Sequence, residues 1–99
     1  MQRNFLNKLG FAALIADIDF VIVSGYRCED YNKKFGKGKN HTEGCSAHIA
    51  CNDDWKRGVI LVALIKAGFR RIGIGERFIH VDSLDETGEA QRAIWFIRQ

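Results

Sequence analysis

Proline is absent from these 99 residues, methionine occurs once, and cysteine and histidine occur three times each. No repeat or low-complexity tract is present. No apolar run approaches the ~18 residues that a membrane-spanning helix needs, which excludes a helical span. Three cysteines without a signal peptide favour reduced, mostly buried thiols over a disulfide framework, and an odd number cannot all pair within one chain. The 15 Lys and Arg against 12 Asp and Glu leave a net charge of +3, an excess that suits an anionic partner but is small for nucleic acid. Neither an aromatic-and-basic RNA motif nor a helix-turn-helix pattern is present. Lys33, Lys34, Lys37 and Lys39 lie in or beside a glycine-bearing loop and read as solvated charge. Arg3 and Lys8 precede an apolar stretch over 11–16 with the outline of a signal peptide. Asp17 and Asp19 break it, however, and residues 20–23 resemble a buried strand instead of a cleavage site.

What is there suits one compact domain spanning residues 1–99. Hydrophobic residues make up 46% of the chain, enough for a core, yet at this size a bound metal adds useful stability. Phe5, Leu6, Leu9, Ala12, Ala13 and Ala16 recur at three- and four-residue steps and predict a helix over 3–16. Residues 20–24 read as a central strand. From Arg27 to Gly44 the chain is polar and rich in Gly, Lys and Asn, the natural place for a substrate-facing loop, with a short helix allowed over 29–35 before Gly36 ends it. Residues 45–51 predict a second strand. Asn52 or Asp53 then caps a helix whose apolar face is Trp55, Val59, Val62 and Ala63, ended by Gly68. Strands over 71–74 and 78–82 join through Gly75-Glu76-Arg77, and Ala90, Ala93, Ile94 and Ile97 predict a last helix over 87–97. This order predicts an α+β domain with a small, largely antiparallel sheet flanked by helices.

Each histidine sits where a cation can use it. His41 and His48 are seven residues apart with Gly44 between them, a loop position and a strand position able to converge on one ion. His80 lies in the apolar run Phe78-Ile79-His80-Val81-Asp82, where rigid backbone fixes ligand geometry. Three imidazoles leave the fourth tetrahedral position of zinc to water, which distinguishes a catalytic site from a closed structural one. A rival closed set is His41, Cys45, His48 and Cys51. Strand alternation counts against it, because Cys45 and Cys51 face away from His48 if this stretch is extended.

The strings Ser24-Gly25-Tyr26-Arg27, then Asn32, His41, Gly44, His48 and Ile49, and finally Ala67-Gly68-Phe69 and Gly73-Ile74-Gly75 with Phe78-Ile79-His80-Val81-Asp82, form a larger pattern. Together they resemble the zinc D-Ala-D-Ala carboxypeptidases and related peptidoglycan peptidases, phage endolysins included. The resemblance covers about residues 5–83. The family's pattern reads approximately S-x-Y-R, a glycine-rich loop, S-x-H-x2-G-x-A-x-D and a terminal H-V-D. Lys39 and Ser46 depart from it, standing at the pattern's serine and alanine.

This resemblance implies a hedgehog/DD-peptidase-like fold, a Zn2+ cofactor and a peptidoglycan peptide as substrate. His41 matches the family's first zinc histidine and His80 its last, while His48 stands where the family has an aspartate ligand. That exchange raises the charge of the cluster from about +1 to about +2, which acidifies bound water further. By the same resemblance Arg27 contacts the peptide's carboxylate or carbonyl through its planar, permanent cation, and Tyr26 and Ser24 support that loop. Hydrolysis also needs a general base. Related enzymes often place a carboxylate three residues before the last histidine, where this chain has Arg77. Glu76 and Asp82 are the competing candidates, although strand alternation turns Glu76 to a different face from the expected residue unless the hairpin bends. Asp82 also reads as a group that orients His80.

The expectation is therefore a zinc-dependent metallopeptidase that hydrolyses peptide bonds in peptidoglycan stem peptides, of DD-carboxypeptidase or LD-endopeptidase type. The alternative is a non-catalytic zinc-containing module of the same fold that binds cell-wall peptide or a protein partner. Either is expected to be a monomer without nucleic-acid or membrane partners, and of bacterial or phage origin. With no signal peptide read, it is expected to be cytoplasmic until released to act at the cell wall.

Overall fold

A computed structural model describes residues 2–29, 44–86, 88 and 90–97, with side chains described over 4–23 and from Cys45 onward. Helix α1, Gln2–Ala16, buries Phe5, Leu9 and Ala12 on one side and leaves Leu6, Phe11 and Leu14 exposed. Asp17 closes it in the left-handed region at φ 59°, its N–H reaching Ala13 O at 2.8 Å, a conformation that aspartate tolerates better than most residues. Helix α2, Asp54–Ala67, has both caps the sequence signals. Asp53 Oδ1 accepts the Lys56 N–H at 2.7 Å. At the other end Gly68, at φ 106°, turns its own N–H and that of Phe69 back to Ile65 O and Leu64 O.

The face of α2 that meets the core is Ile60, Ala63 and Leu64, while Trp55 is 67% and Val62 50% exposed. The expected apolar face is thus rotated. Residues 59–65 are apolar on every side of the helix, so spacing alone does not choose which side the sheet covers.

Five strands, β1 (Ile22–Glu29), β2 (Gly44–Ala50), β3 (Arg71–Ile74), β4 (Phe78–Asp82) and β5 (Ala93–Phe96), form one sheet in the order β1-β2-β4-β3-β5. The β1–β2, β2–β4 and β3–β4 pairs are antiparallel, and β3–β5 is parallel, so the sheet of this small α+β domain is mixed. Strand β1 continues to Glu29, into the stretch expected as loop. A strand at the sheet edge needs no continuous apolar run. The short helix expected over 29–35 falls almost wholly outside the described residues.

The helix expected over 87–97 is not formed, and β5 stands there instead. Ala-Ile-Trp-Phe is rich in β-branched and aromatic residues, and the free edge of β3 supplies hydrogen-bond partners. Ala93 N–H reaches Arg70 O at 2.8 Å and Ile97 N–H reaches Ile74 O at 2.9 Å.

Alternation along the strands separates the two faces of the sheet. Cys45, Ala47 and Ile49 of β2, Ile72 of β3 and Ile79 and Val81 of β4 join the buried residues of both helices in one core. The helices therefore cover one face and do not flank both. Each fully buried aliphatic side chain there, such as Ile49, Ile60, Leu64, Ile72 or Ile79, contributes about 1.5–3 kcal/mol. Cys45 is disulfide-bonded, with Cys28 its cross-strand neighbour in the β1–β2 register, which corrects the expectation of reduced thiols throughout. Antiparallel neighbours lie within disulfide reach, a proximity that sequence spacing does not reveal. Cys51 remains a free buried thiol, and desolvation by burial pushes its pKa up. No helix among the described residues is long and apolar enough to cross a membrane.

Candidate metal centre

One transverse row crosses the whole sheet. Ser24 pairs with His48, His48 with His80, His80 with Gly73, and Gly73 with Trp95. Directly opposed residues on antiparallel strands project to the same face with their Cβ atoms roughly 5 Å apart. His48 and His80 accordingly meet on the face away from the helices, His48 Nε2 lying 3.1 Å from His80 Nδ1. The His48 ring stacks on Phe78 at 4.3 Å between centroids, and the His80 ring lies 5.7 Å from that of Trp95.

Asp82 shares this face because it is two residues beyond His80 in the same strand. Its Oδ2 lies 2.7 Å from His80 Nε2, while Oδ1 accepts the Arg71 Nε–H at 2.8 Å and the Leu84 N–H at 3.0 Å. The carboxylate is 1% exposed. Burial opposes its ionisation, but the hydrogen bond from His80, the Leu84 N–H and the Arg71 guanidinium outweigh it and hold Asp82 below the usual carboxylate range. An ionised carboxylate only accepts, so His80 Nε2 donates to it. In a neutral imidazole that leaves the lone pair on Nδ1, turned toward His48. For His48, burial and then the neighbouring His80 charge push the pKa below its ordinary value and favour the neutral ring.

These two nitrogens suit a cation. Zinc–nitrogen bonds of about 2.0–2.1 Å in a tetrahedral site hold two nitrogens roughly 3.3–3.4 Å apart, close to the 3.1 Å found here. A carboxylate on the far nitrogen of a ligating histidine is also a recurrent feature of zinc sites. The expected third ligand, His41, lies outside the described residues, among which no group of three His, Cys, Asp or Glu side chains suited to a metal occurs. The rival closed set is not brought together: Cys45 and Cys51 are buried on the core side, opposite His48, and Cys45 is in a disulfide.

The other expected site residues divide. Ser24 is aligned with His48 by backbone register and Arg27 with Ser46, a shift in register falling between Ser24 and Arg27, the stretch that holds Tyr26. Their side chains lie outside the described set. Asp82 is not the exposed strand-end charge its position allows but the buried partner of His80. Glu76 is exposed in the β3–β4 turn, and its carboxylate makes no hydrogen bond or ion pair with either histidine. Its backbone carbonyl accepts from Arg57 Nη2 at 2.6 Å, and the same guanidinium reaches Gly75 O, so α2 fixes the turn.

Three residues of this face were not among the expected site residues. Phe78 was legible as the i−2 neighbour of His80 in an alternating strand. Arg71 is visible only once β3 is paired beside β4, and Trp95 only once the last segment is a strand. No protein-family model matches the chain, and no curated protein or solved structure does.

Proposed function

We propose that this chain is a zinc-dependent peptidase acting on peptidoglycan stem peptides, with a hedgehog/DD-peptidase-like version of its α+β fold. The observation that carries the reading is the His48–His80 pair, two ring nitrogens facing each other from opposed strand positions, with the far nitrogen of His80 engaged by a buried carboxylate. His48 Nε2 and His80 Nδ1 are the nitrogens that would hold the ion, joined by His41 on the strength of the sequence resemblance. Zinc at such a site polarises a scissile carbonyl and makes water a better nucleophile. Asp82 already accepts from His80, Arg71 and Leu84, so its role is to orient His80 and keep one tautomer in place. That leaves Glu76 as the acid to test as general base, and Arg27 as the cation for the peptide's carboxylate or carbonyl.

The exposure of Glu76 in the turn, without a hydrogen bond or ion pair to either histidine, favours a second reading, a zinc-bearing module of the same fold that binds cell-wall peptide without cleaving it. Zinc content of the purified protein beside His48→Ala and His80→Ala, followed by muropeptide digestion read by mass spectrometry, separates the two. The peptidase expects about one zinc per chain in the parent, its loss in both variants, and cleavage that disappears in Glu76→Gln while zinc is retained. A zinc-loaded parent that cleaves no muropeptide leaves the module standing. A parent that takes up no zinc sinks both readings.

A further inference from the structure

We propose that Arg71 and Trp95 are positioning residues for the histidine pair: Trp95 supports the Arg71 guanidinium, Arg71 fixes one oxygen of Asp82, and the other oxygen fixes the His80 ring with Nδ1 toward His48. The inference rests on the zinc reading only for what the aligned ring serves.

The contacts form an unbroken chain. The Arg71 guanidinium lies over the Trp95 ring, 4.8 Å from its centroid, and donates from Nη1 to Gln91 O at 2.6 Å as well as from Nε to Asp82 Oδ1 at 2.8 Å. A planar guanidinium held on an aromatic face and by a carbonyl has little freedom left, so the Nε–H direction is set before it meets the carboxylate. Asp82 is thereby gripped at Oδ1 by Arg71 and the Leu84 N–H, which fixes the orientation of the carboxylate, and Oδ2 accepts from His80 Nε2.

Trp95 reaches this place because Gly73, the backbone partner of both His80 and Trp95, has no side chain. A Cβ there stands 2.9 Å from Trp95 Cε2 and 2.9 Å from Ile97 Cδ1. The indole lies where residue 73 has left the sheet bare. An ion pair between Arg71 and Asp82 serving stability alone needs neither the third partner on Oδ2 nor an aromatic support. This chain of contacts ends on a ring nitrogen.

The test reads the His80 tautomer in metal-free protein at mildly alkaline pH by long-range nitrogen–proton NMR, and zinc affinity by competition with a chelating dye. The parent is expected to hold His80 in one tautomer, protonated on Nε2. Arg71→Met is expected to mix the tautomers and weaken zinc binding by about 10–100-fold, the loss typical of removing an outer partner of a metal ligand. Trp95→Leu is expected to act in the same direction by a few-fold. Arg71→Lys, which keeps the charge without the fork, is expected to restore part of the loss. A parent with mixed tautomers overturns the proposal, as does a folded Arg71→Met with one tautomer and unchanged affinity, because a merely structural role shifts the denaturation midpoint alone. If Arg71→Met does not fold, Trp95→Leu and Arg71→Lys decide by the same readouts. If the parent binds no zinc, the zinc reading fails while the tautomer still judges the positioning role.

Discussion

Ile79 and His80 are neighbours in β4 and look out on opposite faces of the sheet. Ile79 enters a core of mainly aliphatic and aromatic side chains, and its packing contacts there are individually weak, numerous and non-directional. His80 enters a line of directional contacts in which each group has a few partners: Trp95, Arg71, Asp82, His80, His48. Energy on the core face is spread over area, so a substitution costs in proportion to the volume it empties. On the other face the arrangement depends on order, so a substitution small in volume can disorder the whole line.

The largest effect belongs to the core. Ile79→Ala empties a site that is 0% exposed and is expected to cost about 2–5 kcal/mol, a large share of a domain's ~5–15 kcal/mol. Urea denaturation measures it, and the folded fraction is expected to retain the His48–His80 pairing. Gly73→Ala is next, at about 1–3 kcal/mol, because the new methyl meets a rigid indole on the far face. Its distinguishing sign is a shift in Trp95 fluorescence, absent in Ile79→Ala. If the two variants behave alike, the faces are not the separate systems described.

A smaller effect follows from acid. His48 is held below its ordinary value, so as pH falls the unfolded chain takes up that proton first. Its contribution is complete above the ordinary imidazole pKa of about 6.5 and declines as pH falls below it. Asp82 is also held low, so its contribution is present above about 3.9 and is lost on further acidification. Stability of the metal-free protein against pH should show both losses, and His48→Gln should remove the first alone. An acid limb identical in parent and variant breaks this part of the comparison. The smallest effect is expected at Trp55, which spacing put on the apolar face and which is 67% exposed. Trp55→Ser should shift stability by no more than about 0.5 kcal/mol. A loss several times larger means that α2 is turned the other way.

The same division explains what the sequence made legible. Strands β2, β3 and β4 and both ends of α2 were readable to within a residue, because alternation, Asp53 and Gly68 are local signals. The face of α2 was not, because seven consecutive apolar residues leave that choice to the sheet. Nor was β5: its spacing fits a helix, and the free edge of β3 that claims it lies some twenty residues away in the sequence. At the site, His48, His80 and Asp82 follow from residue type and strand period. Arg71 and Trp95 do not, since a parallel pairing brought in from the end of the chain is what makes them neighbours. The disulfide at Cys45 escaped for the same reason, through a cross-strand register.

The two imidazoles stand on β2 and β4, each hydrogen-bonded to a strand on either side. Amide exchange at both positions should therefore be among the slowest in the molecule, because fraying at either margin of the sheet does not reach them. A gap stiffened in this way also discriminates among ions. It suits borderline metals that form short bonds to nitrogen, whereas calcium and magnesium, which seek oxygen, gain little from two imidazole nitrogens in exchange for their hydration shells.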